Sequence, residues 1–290
     1  MPKLYVVATP IGNLSDLSPR AVQTLRECAL IAAEDTRVTR KLLTHFGVAT
    51  PMVSYHRHNE AVRATELTDR MLAGNLSVAL VSDAGTPGIS DPGFPLVKAC
   101  VDAGIDVLAV PGPSAMAAAL SVSGFDAREF TFYGFPPRSA GPLREKLRAI
   151  ARTGVPVAVL HESPHRVRAL LEAVAETLPG ARVSVCCDLT KLFELTLYGS
   201  ADRALSALRA NPDAQKGEYC VVLDLHGVTP RPDTPPSQTV SLEARLLERM
   251  LAGLTLREAE ASLRSSGDRR NEIYRASERV KQFFSDQVRR

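Results

Sequence analysis

Ala79-Leu-Val-Ser-Asp-Ala-Gly-Thr-Pro-Gly-Ile-Ser-Asp-Pro-Gly-Phe-Pro95 is an apolar strand running straight into a loop dense in glycine, proline, aspartate and hydroxyl residues. Gly85, Gly88 and Gly93 allow the backbone to turn through positive φ and to approach a ligand closely, while Pro87, Pro92 and Pro95 restrict its shape. A plain strand-to-helix turn needs about 2 to 6 residues and this segment spends roughly twice that, which predicts a ligand cradle.

Two further strand ends carry loops of the same character. The strand near Leu4 to Thr9 runs into Thr9-Pro-Ile-Gly-Asn-Leu-Ser-Asp16, and the strand near Asp106 to Val110 runs into Pro111-Gly-Pro-Ser-Ala115. In open α/β sheets ligands bind beyond the carboxyl ends of strands, so three such loops predict one crevice. The loops hold no G-x-G-x-x-G, no G-x-x-x-x-G-K-[ST] and no lysine. A dinucleotide or triphosphate is therefore not the expected ligand; one held by backbone amides and hydroxyls is.

Around these loops the apolar pattern predicts strands near Leu30 to Glu34 and Ser77 to Val81, with helices after the Ser18-Pro19 cap, near Thr36 to Phe46 and near Asn59 to Ala73. A second set follows, with strands near Phe130 to Gly134, Pro156 to His161, Arg182 to Cys187, Leu192 to Leu197 and Glu218 to Leu225, and helices near Leu143 to Arg152 and His165 to Leu178. The alternation predicts two α/β domains, residues 1–123 and 124–226. A proline-rich linker is expected over 227–240 and a helical extension over 241–290, where Thr255-Leu-Arg-Glu258 has the form of a capping box.

The chain has 290 residues, 45% of them hydrophobic, and a net charge of +3. Eleven Lys/Arg against eight Asp/Glu from Ser241 onward account for the whole excess. A basic tail suits a polyanion and equally a solvated helix face. No apolar run approaches a membrane span and the Met-Pro-Lys start lacks signal-peptide features, so a cytoplasmic protein is expected. Five cysteines without CxxC spacing are expected to be buried free thiols.

Six ordered blocks carry a resemblance: Ala8 to Asp16, Ala33-Glu-Asp-Thr-Arg37, Ser54-Tyr-His-Arg-His-Asn-Glu60, Ser82 to Gly93, Pro111 to Ala115 and Glu162-Ser-Pro-His-Arg166. From Pro2 to about Asp224 the chain resembles the tetrapyrrole methylase superfamily, and within it the branch that methylates ribosomal RNA. The resemblance implies two α/β domains with S-adenosylmethionine between them and a homodimer. The implied acceptor is the 2′-hydroxyl of a cytidine in the decoding region of 16S rRNA. It places the cofactor against Pro10, Ile11, Gly85, Thr86, Ile89, Ser114 and Ala115, with His161, Leu189 and Gly217 from the second domain. Two positions depart from the family pattern: Cys187-Asp188 stands where Arg-Glu is usual, and His161 where an aromatic residue precedes Glu-Ser.

Candidate bases for a ribose hydroxyl are Glu34 and Asp35, flanked by Arg37, and Lys191, which would have to be neutral. Asp35 or Thr36 serves equally as a helix cap. Tyr55, His56, His58, Asn59 and Glu60 form a candidate polar wall of the cleft facing RNA. Alternating histidines on a strand share a face, but third and fourth metal ligands are missing, so no metal is expected. Arg37, Arg166, Lys191, Arg269 and Arg270 are candidate RNA contacts. Methylation of a tetrapyrrole or other small molecule shares the fold and remains open, as does a non-enzymatic RNA-binding module.

Overall fold

The computed structural model describes residues 1–228, 241–266, 268 and 270–288, with side chains to Gln282. The chain divides into two compact units, 1–230 and 231–290. The expected linker falls almost wholly on 229–240 and Arg269 is a single position, and both lie outside the described residues.

The first sheet holds β1 (Lys3–Val7), β2 (Leu30–Ala33), β3 (Met52–Ser54), β4 (Val78–Val81) and β5 (Asp106–Val110) in the order β3-β2-β4-β1-β5, all parallel. Every residue of β2 and β4 is buried, as expected of inner strands covered on both faces. The covering helices are α1 (Pro19–Glu27), α2 (Thr36–His45), α3 (Glu60–Gly74) and α4 (Phe94–Asp102), followed by α5 (Ala115–Val122). The Ser18 side chain accepts from the Ala21 amide with Pro19 at the first helical position, as the sequence suggests.

The second sheet has the order β6-β7-β10-β8-β9, built from β6 (Phe130–Phe132), β7 (Val157–Glu162), β8 (Arg182–Cys187), β9 (Leu195–Ser200) and β10 (Tyr219–Asp224). Only β6 and β7 are parallel; the other pairings are antiparallel. Helices α6 (Ala140–Arg152), α7 (Val167–Thr177) and α8 (Ala201–Ala210) cover one face. On the other face Val157, Val159, Cys186, Cys220 and Val222 pack against Ala119 of α5 and Ile11 of the first loop. That shared apolar layer brings the strand-end loops of the first sheet onto the second.

The structure adds β3, α4, α5 and α8 to the elements expected from sequence, and it differs from the expectation at three further points. Strand β9 begins three residues later than expected because Glu194 accepts the Thr190 amide (2.6 Å) and the Glu194 amide donates to the Lys191 carbonyl (3.1 Å), closing a turn. His56 and His58 lie in a turn beyond β3, not on a strand, so they share no strand face. Tyr55, expected on a cleft wall, is fully buried, and its hydroxyl accepts from the Leu96 amide (3.1 Å) in the first turn of α4.

The second unit is three helices, α9 (Leu242–Leu251), α10 (Leu256–Ser265) and α11 (Arg270–Val288), around Leu246, Ala259, Leu263, Ile273, Ala276 and Val280. Thr255 and Glu258 form the reciprocal capping box. Among the described residues no helix is long and apolar enough to cross a membrane.

Candidate active site

The three loops leaving β1, β4 and β5 are tied to one another. Thr9 and Gly85 bond backbone to backbone, the Thr9 hydroxyl donates to the Ser82 carbonyl (3.1 Å), and the Thr86 hydroxyl donates to the Pro113 carbonyl (3.3 Å). Gly12 abuts the second domain: a Cβ there would stand 2.5 Å from Lys191 Cγ and 3.0 Å from the Leu189 carbonyl oxygen.

Between these loops and the second sheet lies a cavity of about 350 Å³. Of the ten residues expected to hold a cofactor, nine line it: Ile11, Gly85, Thr86, Ile89, Ser114, Ala115, His161, Leu189 and Gly217. Pro10 is the neighbour of Ile11 and does not reach the wall. Ser114 precedes α5 without a side-chain cap, and Ala115 and Met116 at the start of that helix line the cavity. First-turn amides have no intrahelical acceptor, so this wall offers donors to an anionic group.

On the second-domain side His161 meets Phe132 edge to face (ring centroids 4.9 Å) and lies 5.7 Å from Phe135. Burial pushes its pKa down, against a smaller upward pull from Glu218, so the ring is held as a neutral aromatic. Its departure from the family's aromatic thus keeps the aromatic character. Asp188 has φ +51°, a conformation that aspartate tolerates better than most residues, and its carboxylate accepts from Lys191 Nζ (2.7 Å) and from the Glu218 amide (3.3 Å). A Cβ on Gly217, itself at φ +85°, would collide with that carboxylate.

The three expected bases stand outside the cavity wall. Asp35 caps α2 through the Arg37 amide (2.8 Å) and pairs with the Arg37 guanidinium (2.7 Å), which holds its pKa down at about 2. Burial alone would lower the Lys191 pKa, but hydrogen bonds to Asp188 and Glu218 raise it, so the amine is an ammonium with no lone pair to accept a proton. Glu34 is raised chiefly by burial; it accepts from the Asp83 amide (3.3 Å).

Three carboxylates outside the expected set of bases line the cavity, Asp91, Glu162 and Glu218; Glu162 is paired with Arg166 and Glu218 with Lys191, which leaves Asp91 without an ion pair among the described residues. Burial first, then the negative charge of Glu34, pushes its pKa up to about 6, with a Ser82 hydrogen bond pulling the other way. Glu34, Asp83 and Asp91 thus form a mutually repelling carboxylate group at one side of the cavity. The available signal was position: Asp91 belongs to the same glycine-proline loop that decides the fold.

The expected RNA contacts are scattered. Arg166 is engaged by Glu162 and by the Ser163 hydroxyl (3.3 Å) at the cavity edge. His56 and His58 meet ring to ring at 5.9 Å away from the cavity lining, and Arg270 is exposed at the start of α11. All five cysteines are buried and free.

A parallel sheet whose strand-end loops close a cavity against a second, mixed sheet defines the class: the profile of the Tetrapyrrole (Corrin/Porphyrin) Methylases matches residues 3–205, and the chain belongs to that family. The fold is shared with uroporphyrin-III C-methyl transferase from Thermus thermophilus, solved in complex with S-adenyl homocysteine (TM-score 0.51, 17% identity, 77% of this chain and 97% of that one). It is shared too with diphthine synthase (TM-score 0.58, 15% identity, 78% and 91%). Among sequence relatives the chain is 44% identical to ribosomal RNA small subunit methyltransferase I of Synechocystis over 261 residues (90% of this chain, 91% of that protein). It is 40% identical to the protein of the same name from Pseudomonas aeruginosa over 274 residues (93% and 95%).

Proposed function

We propose that the chain transfers the methyl group of S-adenosylmethionine to the 2′-hydroxyl of a cytidine in the decoding region of 16S rRNA, acting as a cytoplasmic homodimer. The observation that carries this reading is the similarity to ribosomal RNA methyltransferases over nine-tenths of the chain, 44% in one case, laid over a largely apolar cavity whose wall includes the Asp91 carboxylate.

The cavity suits this cofactor on its own chemistry. Its volume falls within the range of about 300–1,000 Å³ common to small-molecule sites. The start of α5 offers donors to a carboxylate, Gly85 and Gly217 leave room where a Cβ would strain or collide, and His161 and Leu189 give an aromatic and an aliphatic face for a purine. Ile11, Thr86, Ile89 and Ala115 also line it. Bound there, the cofactor supplies an electrophilic methyl carbon on a sulfonium sulfur.

The protein's part is to align the ribose oxygen and take its proton. Asp91 is the acceptor: it lines the cavity, and burial first, then the negative charges of Glu34 and Asp83, keep it basic. Alignment supplies on the order of 7–11 kcal/mol and a positioned base about 10²- to 10⁴-fold. Leu108 on the edge strand β5, Val122 on α5, and Leu192 and Phe193 in the loop before β9 leave large apolar side chains exposed, which supports a dimer.

The test is transfer of labelled methyl to small ribosomal subunits, naked 16S rRNA and a porphyrinogen, with mass in solution measured by light scattering. Label in the subunit or the rRNA and twice the chain mass are expected; label in the porphyrinogen alone overturns the reading.

A further inference from the structure

Helix α2, Thr36-Arg-Val-Thr-Arg-Lys-Leu-Leu-Thr-His45, contains no acidic residue. Thr39, Leu42 and Leu43 are buried, which leaves Arg37, Arg40, Lys41, Thr44 and His45 on one exposed stripe at i, i+3, i+4, i+7 and i+8. These five residues line a shallow surface depression of about 650 Å³.

The charge on this stripe is not neutralised. On α3 and α4 Arg63 is paired with Glu66 (2.7 Å) and Lys98 with Asp102 (2.6 Å), which leaves Arg70 as the one exposed cation of these two helices without an ion pair among the described residues. On α2 only Arg37 has a partner, Asp35. Arg40 and Lys41 make no ion pair or side-chain hydrogen bond among the described residues, and like charges three and four residues apart repel. The stripe also begins beside the carboxylate group: the Asp35 amide donates to Asp83 Oδ1 (3.0 Å) and the Asp83 amide to Glu34 Oε2 (3.3 Å).

We propose that the exposed face of α2 carries the sugar-phosphate backbone of the RNA strand flanking the acceptor nucleotide, with Arg40 and Lys41 on successive phosphates. This rests on the RNA reading above and names the surface that reading requires. A ten-residue helix is about 15 Å long, enough for a few phosphates. The Arg40 guanidinium can grip one phosphate through two parallel N–H bonds and the Lys41 ammonium can meet the next as a point charge. Thr44 and His45 add hydrogen-bonding groups further along the same face. Each phosphate contact on a single strand releases counterion, worth about 0.7 in the slope of log affinity against log salt.

The experiment uses full-length protein and small ribosomal subunits across a salt series, comparing wild type with Arg40→Gln/Lys41→Gln. A control, Arg70→Gln/Arg148→Gln, removes the same charge from exposed sites on α3 and α6. The expected result for the α2 variant is a KM for RNA substrate raised about tenfold or more, with kcat and cofactor affinity preserved. Its salt slope falls by about 1.4, twice the single-contact value. The control keeps the wild-type slope. An α2 variant that matches wild type in KM and slope, or a control that shifts as much, overturns the assignment of this surface. A wild-type protein that labels no RNA overturns the underlying reading instead, and that is seen before any variant is compared.

Discussion

Thr9 and Gly85 exchange backbone hydrogen bonds in both directions, Thr9 N–H to Gly85 O at 2.9 Å and Gly85 N–H to Thr9 O at 3.0 Å. They form an isolated antiparallel bridge between loops that leave two parallel strands. Gly85 reaches this geometry at φ +83°, and a Cβ there would find ordinary contacts, 3.5 Å to Ile11 Cγ2 and 3.8 Å to the Pro113 carbonyl. Gly85→Ala therefore meets strain without collision. It should cost about 1–2 kcal/mol, lowering Tm by several degrees, and weaken cofactor binding several-fold.

Gly12→Ala should act differently, because its Cβ would strike Lys191, Thr190 and the Leu189 carbonyl and push the first loop off the second domain. Cofactor affinity measured by calorimetry should fall further than in Gly85→Ala. Wild-type affinity in Gly12→Ala would show that this close approach does not shape the site.

With Asp91 as the proposed proton acceptor, the reaction should depend on pH through this carboxylate. With a pKa raised to about 6, the carboxylate is protonated and inactive below that pH and ionised and competent above it. kcat/KM should rise through about pH 6 and then level. Asp91→Asn should remove this limb and lower kcat by about 10²- to 10⁴-fold. Glu34→Gln removes a charge that holds the Asp91 pKa up, so the limb should move to lower pH. Lys191→Gln should leave the limb in place. A limb that survives in Asp91→Asn would assign proton transfer elsewhere.

In the proposed cofactor site His161 is expected to act as an aromatic surface. His161→Phe should keep KM for S-adenosylmethionine within about threefold, whereas His161→Ala, which loses the ring pairs with Phe132 and Phe135, should raise it about tenfold. Equal KM values in the two variants would remove the ring from the cofactor site.

The strand-end loops were legible in the sequence because glycine and proline fix backbone geometry locally: six of the nine expected residues that line the cavity, Ile11, Gly85, Thr86, Ile89, Ser114 and Ala115, lie in the matched blocks. Strand β3 was not, since three half-buried residues carry no alternation. Helix α5 was hidden for the opposite reason: Ala-Met-Ala-Ala-Ala-Leu-Ser-Val is apolar on every side and packs against the second sheet, so no polar face marks its period. Which carboxylate faces the cavity was not legible, because placement, burial and neighbours come only with folding. Glu34, Asp35 and Asp91 are alike in one dimension, and only folding gives one a helix cap and another a cavity wall. Lys191 is a lone lysine in sequence and a twice-bonded ammonium in the structure.

The most direct test of the central claim is alkaline digestion of 16S rRNA labelled by the protein with methyl-tritiated S-adenosylmethionine. A 2′-O-methyl group blocks cleavage at the neighbouring phosphodiester, so the account predicts label in an alkali-resistant dinucleotide that begins with cytidine. Label recovered in a mononucleotide would place the methyl group on a base and contradict it.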